Sequence, residues 1–302
     1  MRILGTVFAA LAGLAFGSFL NVCLSRWPEG ESIIKPRSHC MSCARTLKWW
    51  ENVPLVSWLA LRGRCRTCRA WIGWRYPLVE LAVGALWALE TWRFLALAAD
   101  PQVPAISPFL HWNLYNELGW VIAQFIFFWI LVAIAVLDAE NLWIPDWLTF
   151  PGIAIGMISN VAYQVIGIQY SDAPLSSPAL LAGRIALLSV VNILIAALLI
   201  LLIRWTYKLI RKREGIGLGD AKLMAMLAAW LGLEGALLSF FIGVALGSVA
   251  ALVVLANPAS RTRESNWALT KLPLGTFLCI GGIVSALWGQ PIITAYLRWA
   301  GF

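Results

Sequence analysis

Two aspartates stand at the ends of long apolar segments of this chain. Asp138 closes the apolar run 125–137, and Asp220 ends Gly217-Leu218-Gly219-Asp220, just before the apolar segment 221–233. An ionisable side chain at the end of a membrane span is costly and indicates a functional site. Two neighbouring carboxylates can share one proton, so that one acts as a base that activates water while the other acts as an acid. This is the chemistry of aspartic proteases, and we expect Asp138 and Asp220 to form a catalytic pair.

Two further acids and one lysine lie close to this pair in the sequence. Asp146 is a third candidate acid, but Pro145-Asp146 also has the pattern of a helix start, and we favour a role at the positive end of the helix dipole. Glu140 is expected to face water. For Lys222 three roles stay open, namely neutralisation of nearby carboxylates, binding of phospholipid headgroups, and a charge that sets topology.

The composition predicts an all-α protein that crosses the membrane several times. Of the 302 residues, 61% are hydrophobic and 13% are charged, whereas a soluble domain has about 25% charged residues. The 18 tryptophans are typical of aromatic belts at membrane surfaces. Apolar segments of suitable length predict about eight transmembrane helices. These are 3–25, 78–98, 119–137, 147–168, 179–203, 222–235, 236–256 and 273–296.

The basic residues predict the orientation of these spans. With the N-terminus outside, the inner loops are 26–77, 138–146, 204–221 and 257–272, and Lys222 is counted with the third. Of the 23 lysines and arginines, only Arg2, Arg93, Arg184 and Arg298 lie elsewhere. This bias places the loops and both aspartates at the cytoplasmic face. Because these charges flank spans, a nucleic-acid partner is not expected. Segment 3–25 could be a cleaved signal peptide, but the basic loop after it favours a retained first helix.

The loop 26–77 contains two Cys-x-x-Cys pairs. Cys40 and Cys43 form the first pair, and Cys65 and Cys68 form the second. Such spacing predicts a structural zinc site in which four thiolates complete a tetrahedron. Disulfides and unpaired thiols are the alternatives, and a cytoplasmic location argues against disulfides. His39 is a less favoured substitute ligand. The remaining cysteines, Cys23 and Cys279, are expected to be small buried side chains.

Several motifs recur in order along nearly the whole chain. They are Gly17-Ser18-Phe19-Leu20-Asn21-Val22 with Arg26-Trp27-Pro28, the two cysteine pairs, Trp50-Glu51-Asn52-Val53-Pro54-Leu55-Val56-Ser57-Trp58-Leu59, Leu61-Arg62-Gly63-Arg64-Cys65, Arg75-Tyr76-Pro77-Leu78-Val79-Glu80-Leu81, Asp138 with Ile144-Pro145-Asp146, and Gly217-Leu218-Gly219-Asp220-Ala221-Lys222-Leu223. Together they resemble the type IV prepilin peptidases, the leader peptidases of bacterial pilus and type II secretion systems.

The resemblance implies a bifunctional enzyme of the bacterial inner membrane. Family members cleave the basic leader of prepilins and pseudopilins after a glycine at the cytoplasmic face. Many then methylate the new N-terminal residue with S-adenosylmethionine. The family's catalytic aspartates map onto Asp138 and Asp220, and its zinc ligands onto Cys40, Cys43, Cys65 and Cys68. The expected organisation is a first helix, 1–25, a cytoplasmic zinc-binding domain, 26–77, and a transmembrane peptidase domain, 78–302.

The methyl-donor site is not visible in the motifs, because the chain has no Gly-x-Gly-x-x-Gly fingerprint. Glu51, Asn52 and Glu80 are unranked candidates for it. Two segments depart from the family pattern: Cys40-Met41-Ser42-Cys43 lacks the usual proline, and Pro273-Leu274-Gly275-Thr276 replaces Pro-Phe-Gly-Pro. The basic loop is not expected to bind a basic leader and could instead contact anionic lipid or another part of the substrate.

Three rival functions are less consistent with the sequence. A proton-coupled transporter would use the aspartates as a relay, but no convincing internal repeat is present. A scaffold that docks partners through its zinc domain would not need both carboxylates. A signal-peptide-peptidase type of protease shares Gly-x-Gly-Asp but lacks the double Cys-x-x-Cys.

Overall fold

In the part of the chain that the computed structural model describes, residues 2–97, 108–169, 177–212, 217–256 and 272–301, nearly every regular element is a helix. The eight α-helices are α1 Arg2–Arg26, α2 Val56–Ala60, α3 Arg75–Leu97, α4 Pro108–Asn141, α5 Asp146–Gln169, α6 Pro178–Arg211, α7 Leu218–Ala256 and α8 Leu274–Ala300. A 3₁₀ turn, Trp49–Asn52, precedes α2, and extended pairing in these ranges is limited to isolated bridges. The predicted all-α class is confirmed.

Among the described residues, six helices are long and apolar enough to span a membrane. They are Arg2–Arg26, Asn116–Asn141, Asp146–Ile168, Pro178–Arg211, Leu218–Val254 and Leu274–Ala300. The chain is therefore a multi-pass membrane protein, but the predicted count of eight spans is not confirmed. Helix α3 carries the charges of Arg75, Glu80, Glu90 and Arg93. The predicted spans 222–235 and 236–256 correspond to helical segments of α7, which is interrupted by a kink at Gly232. Most of the predicted inner loop 257–272 lies outside the described residues.

Helix α7 contains a sharp kink at Gly232, close to the place where the sequence predicts a break. Gly232 has φ 70° and ψ 179°, a backbone conformation open to glycine but strained for other residues. Such a kink leaves carbonyl groups of the preceding turn without helical partners. The Asn160 amide of α5 donates to the carbonyl oxygens of Ala229 and Trp230, at 3.3 and 3.4 Å. The Asn160 side chain thus stabilises the kink.

The backbone contacts divide the chain into two compact units, Met1–Ala133 and Ile134–Phe302. In the first unit α1 packs closely along α3, where glycines of α1 let the two backbones approach. A Cβ atom on Gly13 would lie 2.8 Å from the Gly84 Cα atom, and one on Gly17 would lie 2.7 Å from the Glu80 Cα atom. Small residues four positions apart permit this approach of two membrane helices. In the second unit α7 packs against α5, α6 and α8.

The close α1–α3 contact predicts that Gly13→Val destabilises the protein. The added side chain must displace backbone rather than a flexible side chain, and such overpacking costs about 1–3 kcal/mol. We expect a lower midpoint of thermal unfolding in detergent. Gly119→Ala is the control, because a Cβ atom there meets nothing within 4 Å. Equal midpoints for Gly13→Val and the wild type would contradict this packing.

Candidate active site

Asp138 lies in the last turn of α4 and is 6% exposed. Its Oδ2 atom accepts a hydrogen bond of 2.7 Å from the backbone N–H of Thr276, in the first turn of α8. The Thr276 hydroxyl lies 3.2 Å from the same oxygen and 2.9 Å from the carbonyl oxygen of Ala135. A hydroxyl has one proton, so it can donate to only one of these acceptors at a time. The backbone N–H of Thr276 therefore holds the Asp138 carboxyl group, and the Thr276 hydroxyl lies between this group and the Ala135 carbonyl oxygen.

Asp138 also supplies the cap that α8 lacks in its own sequence. The residue at the N-cap of α8 is Pro273, which offers no side-chain hydrogen bond. The first N–H groups of a helix have no partner within the helix and carry its positive partial charge. A carboxylate is a favourable acceptor for such groups, and here it comes from α4. The start of α8 is thereby fixed to the end of α4.

Asp220 occupies the equivalent place at the start of α7. It is the third residue of that helix and is 7% exposed. Its Oδ2 atom accepts a hydrogen bond of 3.1 Å from the backbone N–H of Gly217, just before the helix. This resembles the half of a capping box in which the third helical side chain bonds back to the N-cap N–H. Asp220 interacts electrostatically with Asp138, so the structure brings the two predicted carboxylates together.

Two glycines make room for Ile144 beside this pair. A Cβ atom on Gly219 would lie 3.0 Å from the Cβ atom of Ile144. One on Gly275 would lie 2.7 Å from the Cδ1 atom of Ile144 and 2.9 Å from the Oδ2 atom of Asp138. Any larger residue at position 275 would therefore push against the carboxylate itself. The glycine of Gly217-Leu218-Gly219-Asp220 next to the acid is thus needed for packing against Ile144.

Asp146 takes part in a separate interaction, with Lys222. It begins α5, as the sequence predicts, and its exposed carboxylate pairs with the ammonium group of Lys222. Of the three roles left open for Lys222, the structure thus shows neutralisation of a nearby carboxylate. The Lys222 nitrogen also lies 5.6 Å from the centre of the Phe150 ring. Glu140 is exposed, in agreement with its predicted contact with water.

The four cysteines of the basic loop form one cluster. The Sγ atoms of Cys40, Cys43, Cys65 and Cys68 all lie within 4.8 Å of one another, close enough to hold a metal ion. None of the six cysteines forms a disulfide. The cluster contains no histidine, and the Nδ1 atom of His39 instead lies 3.2 Å from the carbonyl oxygen of Arg37. The spacing thus predicts the grouping of these thiols correctly.

The two Cys-x-x-Cys segments have the same backbone design. Cys40 N–H bonds to the Arg45 carbonyl at 2.9 Å, and Cys65 N–H bonds to the Ala70 carbonyl at 2.9 Å. The residue after each pair, Ala44 or Arg69, has a positive φ of 55° or 58°. Each segment is therefore a tight turn that presents two sulfurs on one side. Hydrogen bonds from the N–H groups of Cys68 and Thr67 lower the pKa of the Cys65 thiol to about 6, which favours the thiolate that metal ions bind.

An ion pair fastens the first turn to the chain that follows it. The Arg45 guanidinium donates two hydrogen bonds to the Glu51 carboxylate, at 2.7 and 3.1 Å. The backbone N–H of Lys48 donates to the same carboxylate at 2.8 Å. The Arg45 guanidinium holds the pKa of Glu51 below its usual range. Glu51 is fully engaged in these contacts, so it positions the loop and has no free oxygen to offer a ligand.

The fold and the site are those of a multi-pass membrane protein with a buried pair of carboxylates and a four-thiol cluster. Two family models match the chain: the bacterial peptidase A24 N-terminal domain over residues 11–94 and the type IV leader peptidase family over residues 125–252. Curated relatives match almost from end to end. This chain belongs to the type IV leader peptidase family.

Two of these relatives illustrate the likeness. The prepilin leader peptidase/N-methyltransferase of Pseudomonas aeruginosa is 32% identical over 315 residues, which cover 97% of this chain and 93% of the relative. A protein of the same name from Burkholderia pseudomallei strain 1026b is 34% identical over 311 residues, which cover 94% of this chain and 85% of the relative. No solved structure matches the chain.

The geometry predicts that Thr276→Val slows peptidase turnover by about tenfold. The variant keeps the backbone N–H but removes the hydroxyl, and a hydrogen bond to a charged group is worth about 1.5 kcal/mol. The measurement is kcat of peptide cleavage by the purified protein. Thr91→Val is the matched control, since the Thr91 hydroxyl bonds to the carbonyl of Trp87 in its own helix, away from Asp138. Unchanged kcat in Thr276→Val would show that the hydroxyl does not position Asp138.

Proposed function

We propose that this protein is a membrane-embedded aspartic endopeptidase that removes the leader from prepilins or pseudopilins, and that it then N-methylates the new N-terminus. The single observation that carries the peptidase assignment is the buried pair of Asp138 and Asp220, each bonded to an N–H group at the start of a helix. The names of the curated relatives support both activities.

In the proposed mechanism the two carboxyl groups share one proton. The ionised member takes a proton from a water molecule, whose oxygen attacks the carbonyl carbon of the scissile bond. The protonated member donates to the developing oxyanion and then helps to protonate the leaving amine. Because the pair titrates as a unit, neither aspartate is assigned the proton at the start. The Thr276 N–H bonds to one oxygen of Asp138, and the Gly217 N–H bonds to one oxygen of Asp220. These bonds keep the two carboxyl groups aligned through the cycle.

The proposed substrate follows from where such a site lies in the membrane. The basic loops favour a cytoplasmic location for Asp138 and Asp220 in the bacterial inner membrane. A prepilin has a basic leader followed by an apolar helix. The junction between leader and helix therefore lies at the cytoplasmic surface of the membrane, where the two aspartates are proposed to lie. Cleavage after glycine is carried over from the family resemblance. Exposed apolar side chains of α6, such as Leu187 and Leu194, would contact lipid.

The zinc site and the domain organisation complete the proposal. Zn²⁺ held by Cys40, Cys43, Cys65 and Cys68 would have no open coordination position and would act as a structural staple. A short loop with little hydrophobic core needs such a staple. The chain would comprise a first helix, 1–25, a zinc-binding domain, 26–77, and a peptidase domain, 78–302. S-adenosylmethionine would supply the methyl group for the second reaction.

The peptidase assignment predicts that Asp138→Asn and Asp220→Asn each lower the cleavage rate by at least about a thousandfold. Asp146→Asn is the control, because its exposed ion pair contributes little, and its rate should stay within about threefold of the wild type. The assay is cleavage of a purified prepilin in detergent, followed by mass spectrometry. With S-adenosylmethionine present, the wild-type product should gain the mass of one methyl group. Retained cleavage in either of the first two variants would refute the two-aspartate mechanism.

The zinc assignment predicts about one zinc ion per chain in the purified protein, measured by elemental analysis. Cys65→Ser should lose most of this metal, because Cys65 is buried in the cluster. Cys23→Ser replaces a cysteine that is buried in α1 outside the cluster, and it should retain the metal. Equal zinc contents in the wild type and Cys65→Ser would rule out the site.

A further inference from the structure

The first unit, Met1–Ala133, contains a cavity of about 730 Å³ that the peptidase mechanism does not use. Its walls come from the ends of α1 and α3 and from the cysteine loop between them. The residues used below that line it are Ser18, Asn21, Trp58, Arg66, Tyr76 and Glu80. Sites for small organic ligands have volumes of about 300–1,000 Å³, with mostly apolar walls and a few well-placed polar groups. The cavity has the size and the lining of such a site.

One polar atom in its wall is buried without a partner. Asn21 is 2% exposed, and its amide nitrogen donates a hydrogen bond of 2.9 Å to the carbonyl of Tyr76. The other polar atom of the Asn21 side chain is the amide oxygen, which is an acceptor. That oxygen is buried and has no hydrogen-bond partner. Such an orphan acceptor costs about 1–3 kcal/mol, which a ligand with a hydroxyl or amino donor would recover.

Glu80 places a carboxylate in the same cavity. It is 7% exposed, and its Oε2 atom accepts a hydrogen bond of 2.8 Å from the backbone N–H of Leu55. Its other neighbour in the wall is Ser18, which also interacts with the carboxylate. Leu55 has φ 57° and ψ −47°, a strained conformation that is rare outside glycine. Strain of this kind clusters where a protein shapes a ligand site, and here the Glu80 carboxylate holds it in place.

The structure therefore distinguishes the three candidates for the methyl-donor site, Glu51, Asn52 and Glu80. Both oxygens of Glu51 are occupied by Arg45 and Lys48. Asn52 is exposed at the cavity rim. Glu80 is buried in the wall and receives a single backbone hydrogen bond.

On the basis of the proposed function, we infer that this cavity binds S-adenosylmethionine, with Glu80 and the Asn21 amide oxygen as its polar anchors. The ligand carries a ribose diol and an amino group, which are donors for these acceptors. Its sulfonium cation is attracted both by a buried carboxylate and by aromatic faces such as those of Trp58 and Tyr76. Its purine ring can stack on the same side chains, and its own carboxylate can pair with Arg66. The chemistry of the lining thus fits each part of the ligand.

The methyl transfer itself balances without a further reactant. The lone pair of the new N-terminal amine forms the N–C bond, the electrons of the C–S bond remain on sulfur, and the amine releases one proton. A buried carboxylate in the cavity favours the cationic methyl donor over its neutral thioether product, so it would aid exchange of product for fresh donor.

Binding to the full-length protein in detergent tests this inference directly. Equilibrium dialysis with radiolabelled S-adenosylmethionine gives Kd, and ultraviolet crosslinking followed by peptide mapping locates the ligand on the wild type. Glu80→Gln keeps an acceptor for Leu55 but loses the charge, and Asn21→Leu loses the amide oxygen. We expect at least a tenfold rise in Kd for each, with prepilin cleavage retained. The wild-type crosslink should lie within residues 11–94.

Two matched controls separate a local effect from a general one. Glu90→Gln neutralises another buried glutamate of α3, about 15 Å further along the helix and outside the cavity lining. Gln124→Leu removes another buried amide oxygen without a partner, on α4. Both should leave Kd within twofold of the wild type.

Four outcomes would overturn the inference. Unchanged Kd in Glu80→Gln and Asn21→Leu, or a crosslink within residues 134–302, would place the methyl donor elsewhere while leaving the methyltransferase proposal intact. A bound phospholipid that S-adenosylmethionine does not displace from the cavity would make it a lipid site. A wild type that cleaves prepilin but binds no S-adenosylmethionine would refute the methyltransferase proposal itself. If a variant fails to fold, the crosslink position on the wild type still decides.

Discussion

The site depends on the burial of two carboxylates at the ends of apolar helices. Isolated burial of such charges is prohibitive, so each must be paired with hydrogen-bond donors. The donors here are N–H groups at helix starts, which need acceptors in any case. Asp138 bonds to the first turn of α8, and Asp220 bonds back to the residue before α7. Each carboxylate is thereby a helix cap as well as a candidate catalytic group, and the same bonds that satisfy the helix ends position the acids.

Close backbone packing makes this arrangement possible. Gly219 and Gly275 leave the space that Ile144 fills beside the acids, and a larger residue at either position would displace it. The kink at Gly232 bends α7 beyond the site. There the Asn160 amide of α5 bonds to α7, and the Trp230 indole of α7 donates to the Gly152 carbonyl of α5 at 2.9 Å. The second unit is thus held together by small residues and a few interhelical hydrogen bonds, as expected for membrane helices, whose association in lipid has no hydrophobic driving force.

The sequence predicts much of this structure because its strongest signals are local. Apolar length predicts the helices, charge at a span end singles out Asp138 and Asp220, and cysteine spacing predicts the four-thiol cluster. Contacts between residues that are far apart in the chain are not predicted by these local signals. Thr276 lies 138 residues from Asp138, and its segment differs from the family pattern, so nothing local connects the two. The span count depends on more than apolar length, since α3 carries charges along its apolar segment and α7 is kinked at Gly232.

The claim that Asp138 and Asp220 act as one unit is tested most directly by combining their substitutions. If the two carboxylates share a single proton and activate a single water, losing both costs no more than losing either one. The measurement is the single-turnover rate of prepilin cleavage by Asp138→Asn, Asp220→Asn and the double variant. A shared proton and a single activated water predict the same residual rate for all three proteins. A double variant slower than either single variant by the product of their separate losses would show that the two aspartates act independently.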